Sequence, residues 1–516
     1  MSEPSTLYRN AVVHCAVPSA SAVVVADGVF SWVGEVADAP RAQRVVDLAG
    51  AWLAPAFVDA HVHATDTGLV LSGLDLSGVD GAGALLAAVA AFARGLPAGA
   101  TVLGHGWDES GWPVGARVPP SAGELDRVSG GRRVYLSQAS VHAALVSSAL
   151  LAEVPASAGG WSSSGLLSRE AHHVARRAAF AGLSAGDRSR AQRVMLGRAA
   201  ASGVAAVHEC AGPEISSEAD LLGVLALSGD GLPEVYGYWG ELGGAVRARE
   251  LGAVGAAGDL FADGALGSRT AWVSQPYTSG GCGHGYVTAA QVGAHLVECA
   301  GVGVQGGFHA IGDAAVREVL AGFRWAADRL GVARVRAGGH RMEHLEVLDR
   351  ELVAALVEFG VTASVQPVFD AWWGGSAGMY AERLGVARAL ATNPLGSLHA
   401  VGVGLAFGSD APVTPVDPWG AVAAAVGHHV PAQRLGVRAA FAAHTRGGWR
   451  ALGPVAGPAA RAVREREGTV APGAPATFAV WEVPGGWADG LPRVGAGVPA
   501  PVCTRTVLRG REIYSV

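Results

Sequence analysis

The chain has 516 residues, half of them apolar and 16% charged, which excludes a disordered protein and calls for a large buried core. A net charge of −6 excludes a general nucleic-acid binder, and no apolar run reaches the roughly 18 residues of a membrane span. All 38 basic residues are arginine, so the chain can form no Schiff base, no lysine nucleophile and no carboxylated lysine.

The first residues lack a basic segment followed by a long apolar stretch, so no signal peptide is expected and the location expected is cytoplasmic. Residues 7–53 read as short strands, with a β-branched run at 22–26, a turn at Asp27-Gly28 and a resumed strand at 29–33. The stretch 68–130, rich in Gly, Pro and Trp, reads as an insertion, and 82–92 within it as an Ala-rich packed helix. Between 54 and 466, strand-like runs at 102–105, 133–137, 203–209, 303–309, 361–366 and 403–409 alternate with helical stretches. That alternation predicts an α/β fold with a parallel sheet and helical crossovers. Several runs end in His, Gln or Asp, where a (β/α)8 barrel carries its active site. Strands return at 477–483 and 503–514, so residues 1–53 and 467–516 are expected to meet in one small β-sandwich domain beside a barrel of 54–466. The cysteines, Cys15, Cys210, Cys282, Cys299 and Cys503, form no C-x-x-C pair, which excludes a disulfide framework and a structural zinc cluster.

The most specific chemical signal is the strand 54–63, which ends in His61-Val-His63. Alternation places both imidazoles on one side of that strand, where they can share a divalent metal. Further candidates stand at later strand ends: His309 in Phe308-His-Ala-Ile-Gly-Asp313, His344 in Arg341-Met-Glu-His344, and Asp410 in Gly408-Ser-Asp410-Ala-Pro.

These motifs, in this order, resemble the amidohydrolase superfamily and within it the YtcJ-like, amidohydrolase-3 group. Gly104-His-Gly-Trp107-Asp108, the segment opened by His142, Val207-His208-Glu209, Asp263-Gly-Ala-Leu-Gly-Ser-Arg269 and Ser364-Val-Gln366-Pro extend the resemblance over nearly the whole chain. The resemblance implies a TIM barrel with a small β-sandwich from both termini. It also implies a metal centre of His61, His63, His309, His344 and Asp410. The family's usual fourth-strand lysine is absent, and Asp259 stands in its place. A side chain that short is not expected to span two metals, so the expected cofactor is one Zn2+ per chain. Asp259 is then a replacement ligand, with Glu209 and Cys210 as weaker ones.

The reaction so implied is hydrolysis of a non-peptide C–N bond (an amide, formamide or cyclic amide) in a small-molecule substrate. Asp410 acts as general base and then acid, and His309 and His344 complete the coordination or polarise the carbonyl. Trp107, Trp112, Trp272, Trp372, Trp373 and Gln366 are candidates for the substrate pocket, against a packing role for the tryptophans. Two rivals stand beside this reading: a single-metal lyase such as a decarboxylase, and a degenerate, non-catalytic member. No nucleic-acid or membrane partner is expected, and the expected assembly is a homodimer.

Overall fold

The computed structural model describes residues 4–516 apart from 98, 110–111, 114, 116, 140–142 and 455–456. The segment opened by His142 therefore begins outside the described residues. The chain forms two compact units, Met1–His63 with Leu196–Val516, and Ala64–Met195.

The first unit is built on eight parallel strands: Phe57–Val62, Val204–Ala211, Glu234–Trp239, Gly255–Ala256, Gln305–Ala310, Arg341–His344, Thr362–Val365 and Leu405–Phe407, adjacent in that order. The first and the eighth meet where the His63 N–H donates to the Ala411 carbonyl at 2.9 Å and the Asp410 N–H to the His61 carbonyl at 2.8 Å, which makes the sheet a barrel. Every residue of 57–62, 204–211 and 305–310 is buried, the pattern of a parallel sheet covered on both faces. The crossover helices carry local start and stop signals. Thr288 and Gln291 form a capping box on Ala289–Val302, which stops at left-handed Gly303, and Asp349 caps Arg350–Phe359, which stops at Gly360.

The two chain ends add two further sheets. One orders Val29–Gly34, Ala22–Ala26, Thr6–Arg9 and Arg44–Asp47; the other orders Val12–Val13, Trp52–Pro55, Phe478–Glu482, Val502–Leu508 and Arg511–Ser515. Their apolar faces share one cluster, in which Tyr8, Val23 and Phe30 pack with Leu53, Phe478 and Val507. Arg509 fastens the second sheet to the barrel: its Nε donates to Glu234 Oε1 at 2.5 Å and its Nη2 to Glu467 Oε1 at 2.8 Å. Glu467 is buried, so Arg509→Ala strands a carboxylate and is expected to cost about 1–3 kcal/mol, read as a lower urea midpoint. An unchanged midpoint would show the contact to be idle.

Two of the strand-like runs do not belong to the barrel. Val102–Trp107 and Val134–Gln138 lie in a separate five-stranded sheet of the second unit, with Leu74–Asp75, Ala143–Val146 and Leu166–Ser168. The unit that contains the stretch 68–130 thus extends from 64 to 195, and it has its own apolar core around Leu85, Val89, Trp107 and Leu136.

Two histidines in the barrel unit are structural. His340 accepts the Gly306 N–H at 3.0 Å, His444 donates to the Val58 carbonyl at 3.0 Å, and burial pushes both rings down to about 4. Unfolded, they titrate near 6.5, so below that pH the unfolded chain binds protons that the folded chain refuses. Stability is expected to fall from pH 6.5 towards 4, by about 3 kcal/mol for each ring at the lower limit. A urea midpoint that did not drop between pH 7 and pH 5 would contradict this.

Candidate metal centre

His61 and His63 leave the first strand on one face, as its alternation requires, and both point into the barrel mouth. His309 is the last residue but one of the fifth strand. His344 ends the sixth with φ +70°, and Asp410 follows the eighth with φ +55°. Such left-handed backbone is uncommon for residues other than glycine and clusters at functional sites. Asp59, on the same face as His61, fastens the eighth-strand loop by accepting the Ser409 N–H at 2.8 Å.

These residues converge. His63 Nε2 lies 3.2 Å from Asp410 Oδ1, and His61 Nε2 lies 3.4 Å from the same oxygen. Asp259 occupies the middle: its Oδ2 is 3.2 Å from His63 Nε2, and its Oδ1 is 3.5, 3.4 and 3.7 Å from His61 Nε2, His309 Nδ1 and His344 Nε2. Ligands at 2.0–2.2 Å around a tetrahedral zinc stand about 3.3 Å from one another, close to the distances from His61 and His63 to Asp410, and these three form one candidate metal group while His61, Asp259 and His344 form another.

The short Asp259 side chain reaches the centre because the backbone approaches it. Gly258 has φ +78°, and a Cβ there would meet the Cys210 side chain at 3.1 Å; a Cβ on Gly240 would meet the Asp259 backbone at 2.7 Å. Two glycines thus let the chain after the fourth strand run in towards the axis.

Each imidazole is held from behind. His61 Nδ1 meets Glu343 Oε2 at 2.9 Å, His63 Nδ1 the Cys210 carbonyl at 3.1 Å, His344 Nδ1 the Gln366 Oε1 at 2.8 Å, and His309 Nε2 the Gly264 carbonyl at 3.3 Å. Each outer nitrogen therefore carries a proton, which leaves the inner one as the nitrogen that would give its lone pair to a metal. His61 Nε2, His309 Nδ1, His344 Nε2 and Asp259 Oδ1 have no hydrogen-bond partner among the described residues, although all are buried. Orphaned buried atoms of this kind call for an ion or a ligand, and the donor set suits a divalent metal.

Charge follows the same lines. Burial opposes ionisation of Asp259 and Asp410, yet the facing histidines, His61 foremost, hold both carboxyls below the usual range. Burial also lowers His309, helped by its neighbour His344, whereas Asp259 and Asp410 outweigh burial at His344 and raise it. Asp263 is different: burial pushes it up to about 7, and it accepts N–H groups from Trp272, Ile311 and Gly312 at 2.7–2.9 Å. It ties the loop below His309 and lies 4.0 Å from the outer nitrogen of that ring, Nε2.

Several residues take other positions than the sequence suggests. Gln366 is 2% exposed and orients His344 through its Oε1, while its Nε2 has no hydrogen-bond partner among the described residues. Trp107 is fully buried in the core of the second unit and donates to the Leu136 carbonyl at 2.8 Å, and Trp112 packs there too. Trp373 packs against Phe369 and Tyr380, and half-buried Trp272 belongs to the loop that Asp263 ties. Trp372 lines an outer groove of about 410 Å³ that includes none of the converging residues. Cys210 lies within reach of His61 and Glu343, and Glu209 is buried beside it. Sequence reasoning missed Glu343 as a partner of His61; the Arg-x-Glu-His spacing was the available signal.

The amidohydrolase family model matches residues 44–514. The chain belongs to the amidohydrolase family. It is 27% identical to the putative amidohydrolase YtcJ of Bacillus subtilis over 450 residues, 77% of this chain and 78% of that one. Its fold is similar to that of a metal-dependent hydrolase from Pyrococcus furiosus, with a TM-score of 0.72 at 23% identity over 92% of this chain and 98% of the other. It is also similar to N-isopropylammelide isopropylaminohydrolase from Burkholderia multivorans, with a TM-score of 0.54 at 15% identity over 99% and 98% of the two chains. No helix among the described residues is long and apolar enough to cross a membrane.

Proposed function

We propose that this amidohydrolase hydrolyses a non-peptide C–N bond of a small molecule at one Zn2+, held by His61, His63 and Asp410 with Asp259 as a further carboxylate. The observation that carries this reading is the set of four imidazoles whose outer nitrogens are hydrogen-bonded and whose inner nitrogens face Asp259 or Asp410. Two carboxylates reach the centre, so one divalent cation balances them. When bound, the cation supplies a Lewis acid for a carbonyl and lowers the pKa of water to about 7.

The remaining steps belong to the protein. Asp410, 7% exposed and 3.2 Å from His63, accepts the proton of the attacking water and returns it to the departing nitrogen. His309 and His344, 3.4 and 3.7 Å from Asp259 Oδ1, orient the scissile carbonyl. A C–N bond also agrees with the aminohydrolase of similar fold.

Elemental analysis of chain purified without chelators tests the metal, and a screen for released amine tests the bond. One zinc per active chain with amine release is expected, and added bicarbonate should leave activity unchanged because no lysine is present to be carboxylated. Carbon dioxide as product would favour a lyase. Two tightly bound metals, with activity following the second, would make Asp259 a bridge and overturn the single-metal reading.

A further inference from the structure

Beneath the centre, inside the barrel, lies a charged layer where aliphatic side chains are the rule. Arg341 and Glu343 are both 0% exposed. The Arg341 guanidinium grips Glu343 with two bonds, Nε to Oε1 at 2.6 Å and Nη2 to Oε2 at 2.8 Å. It also donates to the Ala60 carbonyl at 2.6 Å and Ser364 Oγ at 2.7 Å, meets His208 Nδ1 at 2.9 Å, and lies 4.5 Å from the centre of the Tyr238 ring. One cation thus ties the first, second, third, sixth and seventh strands, and it fixes the carboxylate whose Oε2 accepts the His61 Nδ1 proton at 2.9 Å.

We infer that the buried Arg341–Glu343 pair is the positioning device that sets the metal affinity of the centre, acting through His61. A carboxylate behind an imidazole fixes the tautomer and ring angle and makes the inner nitrogen a stronger donor. A free carboxylate would also add a third negative charge beside Asp259 and Asp410. Arg341 removes that charge while leaving Oε2 able to accept. The other three imidazoles rest on neutral oxygens, from Cys210, Gly264 and Gln366, so His61 is the ring with charged support among the four. It is also the residue common to every candidate metal group among the described residues.

This inference rests on the proposed metal centre, and the test separates the two. The full chain, stripped of metal, is titrated with Zn2+ against a chromophoric chelator as wild type, as Glu343→Asp and as the double variant Arg341→Met/Glu343→Gln. The double variant removes both charges together, so it leaves neither one buried alone and keeps the fold. Glu343→Asp keeps the ion pair but draws the carboxylate away from His61. Both are expected to bind Zn2+ about 10–100-fold more weakly than wild type. Metal-free urea midpoints, measured in parallel, should not follow that order. Variants that bind Zn2+ as tightly as wild type would overturn the inference and leave the centre intact, whereas a wild type that takes up no Zn2+ would overturn the centre itself.

Discussion

Replacing His61 with alanine is expected to abolish measurable turnover and to leave the purified chain nearly free of metal. His61 is fully buried, and its Nε2 faces both carboxylates of the centre at 3.4 and 3.5 Å, so no neighbouring group can take its place. Asp410→Asn should behave differently. The amide keeps an oxygen near His63, so zinc binds at high concentration, but an amide cannot accept the water proton. Its kcat is then expected to fall by about 10²–10⁴-fold at saturating zinc. Asp259→Asn should show the reverse emphasis, a larger loss of zinc affinity than of kcat, because Asp259 faces four imidazoles. Elemental analysis and kinetics at saturating zinc check the three variants together. Full metal occupancy in His61→Ala would sink the centre as drawn, and wild-type kcat in Asp410→Asn would remove Asp410 from proton transfer.

The parts of this centre that could be read in the sequence are those whose signal is local. His61-Val-His63 follows the period of a strand, and His309, His344 and Asp410 each end an apolar run or a short polar motif. Even here alternation alone is not enough: Arg341 and Glu343 share the inner face of their strand, and the left-handed backbone at His344 is needed to bring the next residue inward as well. Asp259 came from the resemblance, since the fourth strand, Gly255–Ala256, is too short to show a period. Its position among four rings depends on Gly258 and Gly240, which the sequence shows only as two of 75 glycines. The runs at 102–105 and 133–137 carry the same local pattern as barrel strands but pair in another sheet, because periodicity reports burial and not partners. The contact between Glu343 and His61 spans 282 residues, so the local Arg-x-Glu-His spacing marks Glu343 as inward-facing without naming its partner.

Arg341→Met is expected to destabilise the barrel by about 3–5 kcal/mol, the largest stability loss expected of any substitution considered for this chain. Methionine fills much of the volume, so the loss is electrostatic. Glu343 would remain 0% exposed with no cation beside it, and the Ala60 carbonyl and Ser364 hydroxyl would lose a shared donor. Two buried charges that need each other are costly to separate and far less costly to remove together. Adding Glu343→Gln to Arg341→Met should therefore recover most of the loss, although the second change alone is also destabilising. Urea denaturation of the single and double variants measures this directly as a coupling energy. Strict additivity would show that the two side chains act separately, and the buried pair would then lose its role in joining the sixth strand to the first.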